Sequence, residues 1–377
     1  MISCQRHLFS IPQEVAYFNT AYMSPLMNSV VDAIDQGTRM KSTPWKLRIP
    51  DFYGSVDRAR ELFANLMNAD AEGIAVVPSA SYGIETAAKN ITVGPGRRVV
   101  MLADQFPSHV YPWRRLVRDQ GGELLSVAQP KGSSLTEAVL TSIDERCAVA
   151  ALPNVLWTNG AIVDLVAIRA KCDEVGAALV LDLTQSAGAM VTDFAAIRPD
   201  FAVVACYKWM MSPYATGFLY AAPHRRDGEP LEEGWITRKD SQDFAGLVNY
   251  TDEYAPGAVR YDMGERANFA LMPGVVAALE QLTEWGISNI EKTLAARNSA
   301  LSSHLGALGL TPMPDHARGP HFIGAELPKG APKDLLARLA ASDVHLSERG
   351  GSLRITPHLW NNEEDFDRLI WELRAIL

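Results

Sequence analysis

Two stretches decide the fold: Ala178-Leu-Val-Leu-Asp182-Leu-Thr-Gln185-Ser-Ala-Gly188, and after it Phe201-Ala-Val-Val-Ala205-Cys-Tyr-Lys208. Each opens on a short apolar run without the in-out alternation of a half-exposed strand, which is the pattern of a strand covered on both faces. Similar runs stand at Ile74-Ala-Val-Val77, Val99-Val-Met-Leu102, Glu123-Leu-Leu-Ser-Val127, Ala148-Val-Ala-Ala-Leu152 and Gly217-Phe-Leu-Tyr220. Amphipathic or alanine-rich stretches separate them. That alternation predicts a doubly wound α/β unit, a mostly parallel, seven-stranded sheet with helices on both faces.

The flanks read differently. Upstream, Val56, Ala59, Leu62, Phe63, Leu66 and Met67 recur at helical spacing, which predicts a helix with one buried stripe. Residues 223–262 are rich in Pro, Gly and charge and predict an irregular connection. Residues 273–285 and 288–305 then read as long helices, the second opened by a capping box of Ser288 and Glu291. A strand near 321–323, a helix through 335–339, a strand at 353–355 and a last helix carrying Phe366, Leu369, Ile370 and Leu373 make a smaller α+β unit. The expected division is a large unit over 15–258 and a small one over 259–377, joined by 1–14.

The chain has 377 residues, 47% hydrophobic and 21% charged, an ordinary globular composition with length for one large and one smaller core. Its net charge of −9 disfavours nucleic acid and anionic membranes as partners. Cys4, Cys147, Cys172 and Cys206 form no C-x-x-C pair, and the first 14 residues hold no sustained apolar segment. The stretch 148–163 is interrupted by Pro153, Asn154, Asn159 and Gly160. A reduced, cytoplasmic protein without a signal peptide or membrane span is therefore expected. No H-E-x-x-H or G-x-S-x-G occurs, so neither a metal site nor a serine-hydrolase elbow is expected. Gly94-Pro-Gly96 precedes a predicted strand instead of following one, which makes it a turn and weakens a nicotinamide-dependent oxidoreductase.

In the two deciding stretches an ionisable residue follows or ends each apolar run. At the carboxyl edge of a parallel strand, Asp182 lies in the crevice where open α/β sheets bind ligands. Lys208 is the sole charged side chain between Asp200 and Arg225. In such surroundings a lysine either snorkels to water or gives up its proton and becomes a nucleophile. A desolvated lysine can form a Schiff base with an aldehyde cofactor, and a carboxylate facing a pyridine nitrogen keeps that nitrogen protonated as an electron sink. The pair points to pyridoxal phosphate. Val77-Pro-Ser79-Ala-Ser81-Tyr82-Gly83 offers a strand, a small-residue turn and a helix start. Its free amides suit a phosphate, and a plain N-cap serine accounts for it equally well.

Further segments complete a pattern: Tyr17-Phe-Asn-Thr-Ala-Tyr-Met-Ser-Pro25, Phe106-Pro-Ser-His-Val-Tyr-Pro-Trp113, Pro153-Asn-Val155 and Leu353-Arg-Ile-Thr-Pro-His-Leu-Trp-Asn361. Together with Ser79–Gly83, Asp182–Gln185 and Tyr207-Lys208, in this order, they make nearly the whole chain resemble the class V aminotransferase family of fold-type I pyridoxal-phosphate enzymes. That family includes cysteine desulfurases, kynureninases and isopenicillin-N-epimerase-like proteins. The resemblance implies the fold-type I transferase architecture and a set of roles. Lys208 would carry the cofactor and shuttle a proton, and Asp182 would pair with the pyridinium. Gln185 and Asn154 would bond the ring hydroxyl oxygen, Phe106 would stack on the ring, and Ser81, the Tyr82 amide and the Tyr207 hydroxyl would hold the phosphate. Arg354 would grip the substrate α-carboxylate, with Tyr22, Trp157 and Trp360 lining the pocket. Arg266 and Asn268 fall where the family reaches into a partner subunit's site, which implies a homodimer.

The chain also departs from the family's branches. No cysteine follows Cys206, and Phe106 stands where desulfurases carry histidine, so persulfide transfer to a protein partner is disfavoured. His109 stands where kynureninases tend to carry aspartate. The expected activity is an aminotransferase or a β-eliminating C–S lyase acting on an α-amino acid. The alternatives are an isopenicillin-N-epimerase-like racemase and a non-catalytic binding protein that keeps the fold.

Overall fold

The computed structural model describes residues 1–129 and 134–377. After a two-residue strand β1 (Ala16–Tyr17), the central sheet is built from β2 (Ile74–Val77), β3 (Arg98–Leu102), β4 (Glu123–Val127), β5 (Cys147–Pro153), β6 (Ala178–Asp182), β7 (Phe201–Ala205) and β8 (Gly217–Ala221). Their spatial order is β2-β8-β7-β6-β5-β3-β4, and β8 alone runs antiparallel to its neighbours. The mostly parallel seven-stranded sheet is as expected.

The apolar runs are continuous because each strand feeds two cores. Val76, Val100, Leu152, Leu181 and Val204 pack into one face, while Val77, Val99, Val149, Val180 and Val203 pack into the other. Each such side chain contributes roughly 1.5–3 kcal/mol on leaving water. β4, at the edge, keeps Glu123 and Ser126 exposed. Because β4 and β5 flank β3 on opposite sides, the winding reverses there, and a crevice opens beyond the carboxyl ends of β3 and β5.

The C-terminal part carries β9 (Thr311–Pro312), β10 (Ile323–Glu326), β11 (Val344–His345), β12 (Ser347–Arg349) and β13 (Ser352–Ile355). Four of them form an antiparallel sheet in the order β12-β13-β10-β9, while β11 pairs in parallel with β1. A third core, with Phe18, Leu305, Ile323, Leu353, Ile355 and Leu369, lies under this sheet.

Several expectations need correction. β10 begins at Ile323, because Phe322 is still held in a turn by its amide bond to Gly319 O (3.1 Å). The capping box does not form. The helix Ile287–Ala307 follows the helix Met272–Trp285 across the single residue Gly286 (φ 74°), so Ser288 already lies inside the first turn. Glu291 instead accepts the Val191 amide at 2.7 Å. Met272, Val275 and Leu279 pack in the same core as Phe322, Leu359 and Trp360, while Leu301, Leu305 and Leu310 belong to the third core.

Candidate active site

The helix Ala80–Lys89 begins just beyond β2, capped by Ser79, whose Oγ accepts the Tyr82 amide at 3.1 Å. Gly83 lets this helix settle on β7, since a Cβ there would stand 2.7 Å from a methyl of Val203. The N-cap reading of Ser79 is therefore correct, and it occupies the Tyr82 amide assigned to phosphate. The amides of Ala80 and Ser81 find no acceptor among the described residues. The Ser81 hydroxyl donates to Ser108 Oγ (2.8 Å), which brings two hydroxyls to the start of the helix.

Beyond β3, the turn carrying Phe106 is pinned by Gln105. Its Oε1 accepts the Leu102 amide (3.2 Å), and its Nε2 donates to His109 O (2.9 Å) and to Ala151 O on β5 (3.1 Å). Gln105 thus ties the two strands at the switch point, and the sequence offered no signal for it beyond its place before Phe106. Trp157 donates from Nε1 to Asp104 O at 2.6 Å and meets the Phe106 ring edge-on with centroids 5.3 Å apart.

Asp182 ends β6 and accepts the Thr184 amide at 3.0 Å. Lys208 follows β7 in the neighbouring strand connection. Its Nζ lies 5.3 Å from the Phe106 ring centroid and 5.6 Å from that of Tyr207. Only 6% of Lys208 is exposed. Burial lowers its ammonium to about 8, against the pull of the Asp182 carboxylate and with the push of Arg354 and Arg349. Asp182, Gln185, Phe106, Trp157, Tyr207 and Lys208 all line one cleft.

Arg354, on β13, is wholly buried. It donates from Nη1 to Trp157 O (2.9 Å) and from Nε and Nη2 to Ser347 Oγ (3.0 and 2.7 Å). No carboxylate pairs with it among the described residues. Desolvation and nearby Arg349 lower it to about 10. The segment after β1 joins the two parts of the site: Thr20 bonds to Thr356 O through its amide (3.2 Å), and the Ser24 amide bonds to Tyr207 O (3.1 Å).

Other expected residues stand differently. Gln185 is held from behind, donating to Ala21 O (3.1 Å) and accepting from Trp209 Nε1 (3.1 Å), so one amide hydrogen remains for a ligand. Asn154 is buried with Oδ1 taken by Ser186 (2.6 Å). Tyr22 is 53% exposed and lies outside the cleft lining. Trp360 is a core residue, bonded to Tyr17 O (3.0 Å) and stacked on His358. Neither Arg266 nor Asn268 reaches this chain's cleft: Arg266 is buried against Asp262, and Asn268 Oδ1 accepts the Leu271 amide.

Buried polar atoms without a partner test whether this cleft suits pyridoxal phosphate. The Asn154 Nδ2 and both ring nitrogens of His109 have none. His109 lines the cleft, and burial lowers it to about 4, so a neutral imidazole faces the same space as Asp182. A buried carboxylate, a buried amine, orphaned donors and a helix start with free amides fit an aromatic cation bearing a phosphate and an aldehyde. Among the described residues no group of three or more His, Cys, Asp or Glu is placed to hold a metal ion.

The comparisons agree with the geometry. The family profile of Aminotransferase class-V matches residues 16–360. An uncharacterised aminotransferase of Bacillus subtilis is 25% identical, covering 94% of this chain and 92% of its own. A probable cysteine desulfurase of Methanothermobacter thermautotrophicus is 25% identical, covering 83% and 82%. Among solved structures, a lysine-to-alanine mutant of C-DES with glycine covalently linked to its pyridoxal-phosphate cofactor aligns with a TM-score of 0.89 at 17% identity, covering 99% of this chain and 100% of that one. This chain belongs to the class-V aminotransferase family and is a pyridoxal-phosphate-dependent enzyme.

Proposed function

We infer that the protein acts on an α-amino acid as an aminotransferase or a β-eliminating C–S lyase, in the cytoplasm and as a homodimer. The observation that carries this reading is the pairing of Asp182 and Lys208 in one dry cleft at the ends of adjacent strands, the carboxylate without an ion pair and the amine with a loosely held proton. Pyridoxal phosphate bound there supplies an electron sink for the charge left when a bond at the substrate's α-carbon breaks.

The chain's own residues do the remaining work. Lys208 Nζ would anchor the cofactor's aldehyde carbon and would serve as the general base for the substrate's α-proton, a role that its burial and loosely held proton suit. Asp182 would keep the pyridine nitrogen protonated, Phe106 would pack against the ring, and the Ala80 and Ser81 amides with the Ser81, Ser108 and Tyr207 hydroxyls would receive the phosphate. Arg354 receives the α-carboxylate as a bidentate fork, already locked in place by Ser347 and Trp157. Persulfide transfer is disfavoured because Cys206, the last cysteine, is wholly buried and burial pushes its thiol pKa up.

The homodimer is supported by exposed aromatic side chains such as Trp45 and Tyr250, at 72% and 95%. Free thiols at all four cysteines suit a reducing compartment. Purified protein should show the visible absorption of bound pyridoxal phosphate; a preparation that stays colourless after the cofactor is added would sink the reading. An amino-acid panel assayed for keto acid, ammonia and sulfide separates transfer from elimination, and sedimentation gives the dimer mass.

A further inference from the structure

The hairpin that carries Arg354 carries a second guanidinium on the same face. β12 and β13 are joined by Gly350 and Gly351, both at positive φ (57° and 79°), the backbone of a two-residue turn that fixes register. In that register Ser347 stands opposite Arg354 and Arg349 opposite Ser352. Residues directly opposite share a face, and so do residues two apart along a strand. Ser347, Arg349, Ser352 and Arg354 therefore lie on one face. The Ser347–Arg354 bonds and the Arg354 bond to Trp157 O direct that face at the cleft. Glu348 alternates to the opposite face.

Arg349 is half-buried, and among the described residues its guanidinium makes one hydrogen bond, from Nη1 to Glu348 O at 2.7 Å. It has no acidic partner among the described residues. Its charge is felt by both Lys208 and Arg354, whose protons it loosens. Lys208 lines the cleft, where Asp182 is the one carboxylate among the described lining residues, Arg354 reaches its wall through Trp157 O, and Arg349 stands on the same hairpin face as Arg354, in a protein whose net charge is −9. A monocarboxylic amino acid neutralises Arg354 alone.

We propose that Arg349 is a second anion receptor at the mouth of the cleft and that the substrate is an amino acid with a second acidic group on its side chain. This rests on the amino-acid reading above and narrows it. Arg354 takes the α-carboxylate, deep against Trp157, and Arg349 takes the distal acid two residues further along the hairpin. The glycine pair holds the spacing between them.

The test uses holoenzyme and isosteric pairs: L-aspartate against L-asparagine, and L-glutamate against L-glutamine, with dissociation constants from calorimetry and from the change in cofactor absorption. The acidic member of at least one pair binds about tenfold tighter or better, the scale of a charge-assisted hydrogen bond. Arg349→Gln brings that ratio near unity, and Arg349→Lys restores part of it, while cofactor absorption stays unchanged in both. Equal binding, or none, for both members of each pair overturns the proposal, as does an acidic preference that survives Arg349→Gln. Loss of cofactor absorption in the unmutated protein is a separate result and strikes the pyridoxal-phosphate reading instead.

Discussion

Asp262 and Asp182 are both buried carboxylates, and their surroundings are opposites. Asp262 accepts from Arg60 at 3.0 and 2.5 Å, from the Val76 amide at 2.7 Å and from Arg266. Its lone pairs are filled by its own chain. Asp182 accepts one amide and shares its cleft with Lys208 and His109, both buried, the His109 ring nitrogens without a partner among the described residues. A saturated cluster repays its desolvation within the fold and fixes the first core strand to the segment after residue 258. An unsaturated one leaves that repayment to a ligand. The difference between the two carboxylates thus separates structure from chemistry without reference to any relative.

The largest test of that contrast is Lys208→Ala. Turnover should fall by about 10³-fold or more, as for loss of a covalent and general-base group, and the visible absorption of bound cofactor should disappear. Cofactor-free protein should melt no lower, because the removed amine was buried without a partner. Asp262→Ala should do the reverse. It strands two buried guanidiniums and costs about 3–5 kcal/mol in denaturant unfolding, while turnover per folded molecule holds. If Asp262→Ala instead abolished cofactor uptake in protein that remained folded, the distinction between the two carboxylates would collapse. Next in size, Arg354→Gln should raise the substrate KM by about 10- to 100-fold and leave cofactor absorption intact; unchanged kinetics would remove Arg354 from the site.

The sequence made the saturated and unsaturated regions unequally legible. Strands β2, β6 and β7 begin and end where their apolar runs do, because burial on both faces leaves no polar position to blur the limits. Asp182 and Lys208 were legible for the same reason, as charges at the ends of such runs. β12 was not, since Ser347-Glu-Arg349 carries no apolar signal, although Gly350-Gly351 between two extended stretches was a hairpin mark. Trp360 could be read either way, because an aromatic residue reads alike in a pocket wall and in a core. Gln185 was identified by type, but its ties to Ala21 and Trp209 depend on contacts distant in sequence. The Asp262 cluster was invisible, as its partners Arg60 and Arg266 lie far apart along the chain.

A smaller effect probes how Asp182 bears on its neighbour. In cofactor-free protein the neutral Lys208 amine is the nucleophile, so the rate of cofactor uptake should rise with pH and level off above about 8. The Asp182 carboxylate favours the ammonium form. Asp182→Asn should therefore move the midpoint to lower pH, even as it weakens equilibrium binding of the cofactor. A midpoint near the ordinary lysine value in the unmutated protein would show that Lys208 is solvated and that the cleft is not dry.

The smallest effect lies at the helix that opens beside the cleft. Ser79→Ala removes the acceptor of the Tyr82 amide and should cost about 1 kcal/mol in cofactor-free protein. With cofactor bound, a phosphate at the same helix start offers anionic oxygens to the freed amide, so the loss should shrink to a few tenths of a kcal/mol. The comparison of melting curves with and without pyridoxal phosphate reads this directly. An equal loss in both states would mean that the Tyr82 amide is saturated by the fold, in the manner of Asp262, and that the phosphate is held by Ala80, Ser81 and the hydroxyls alone.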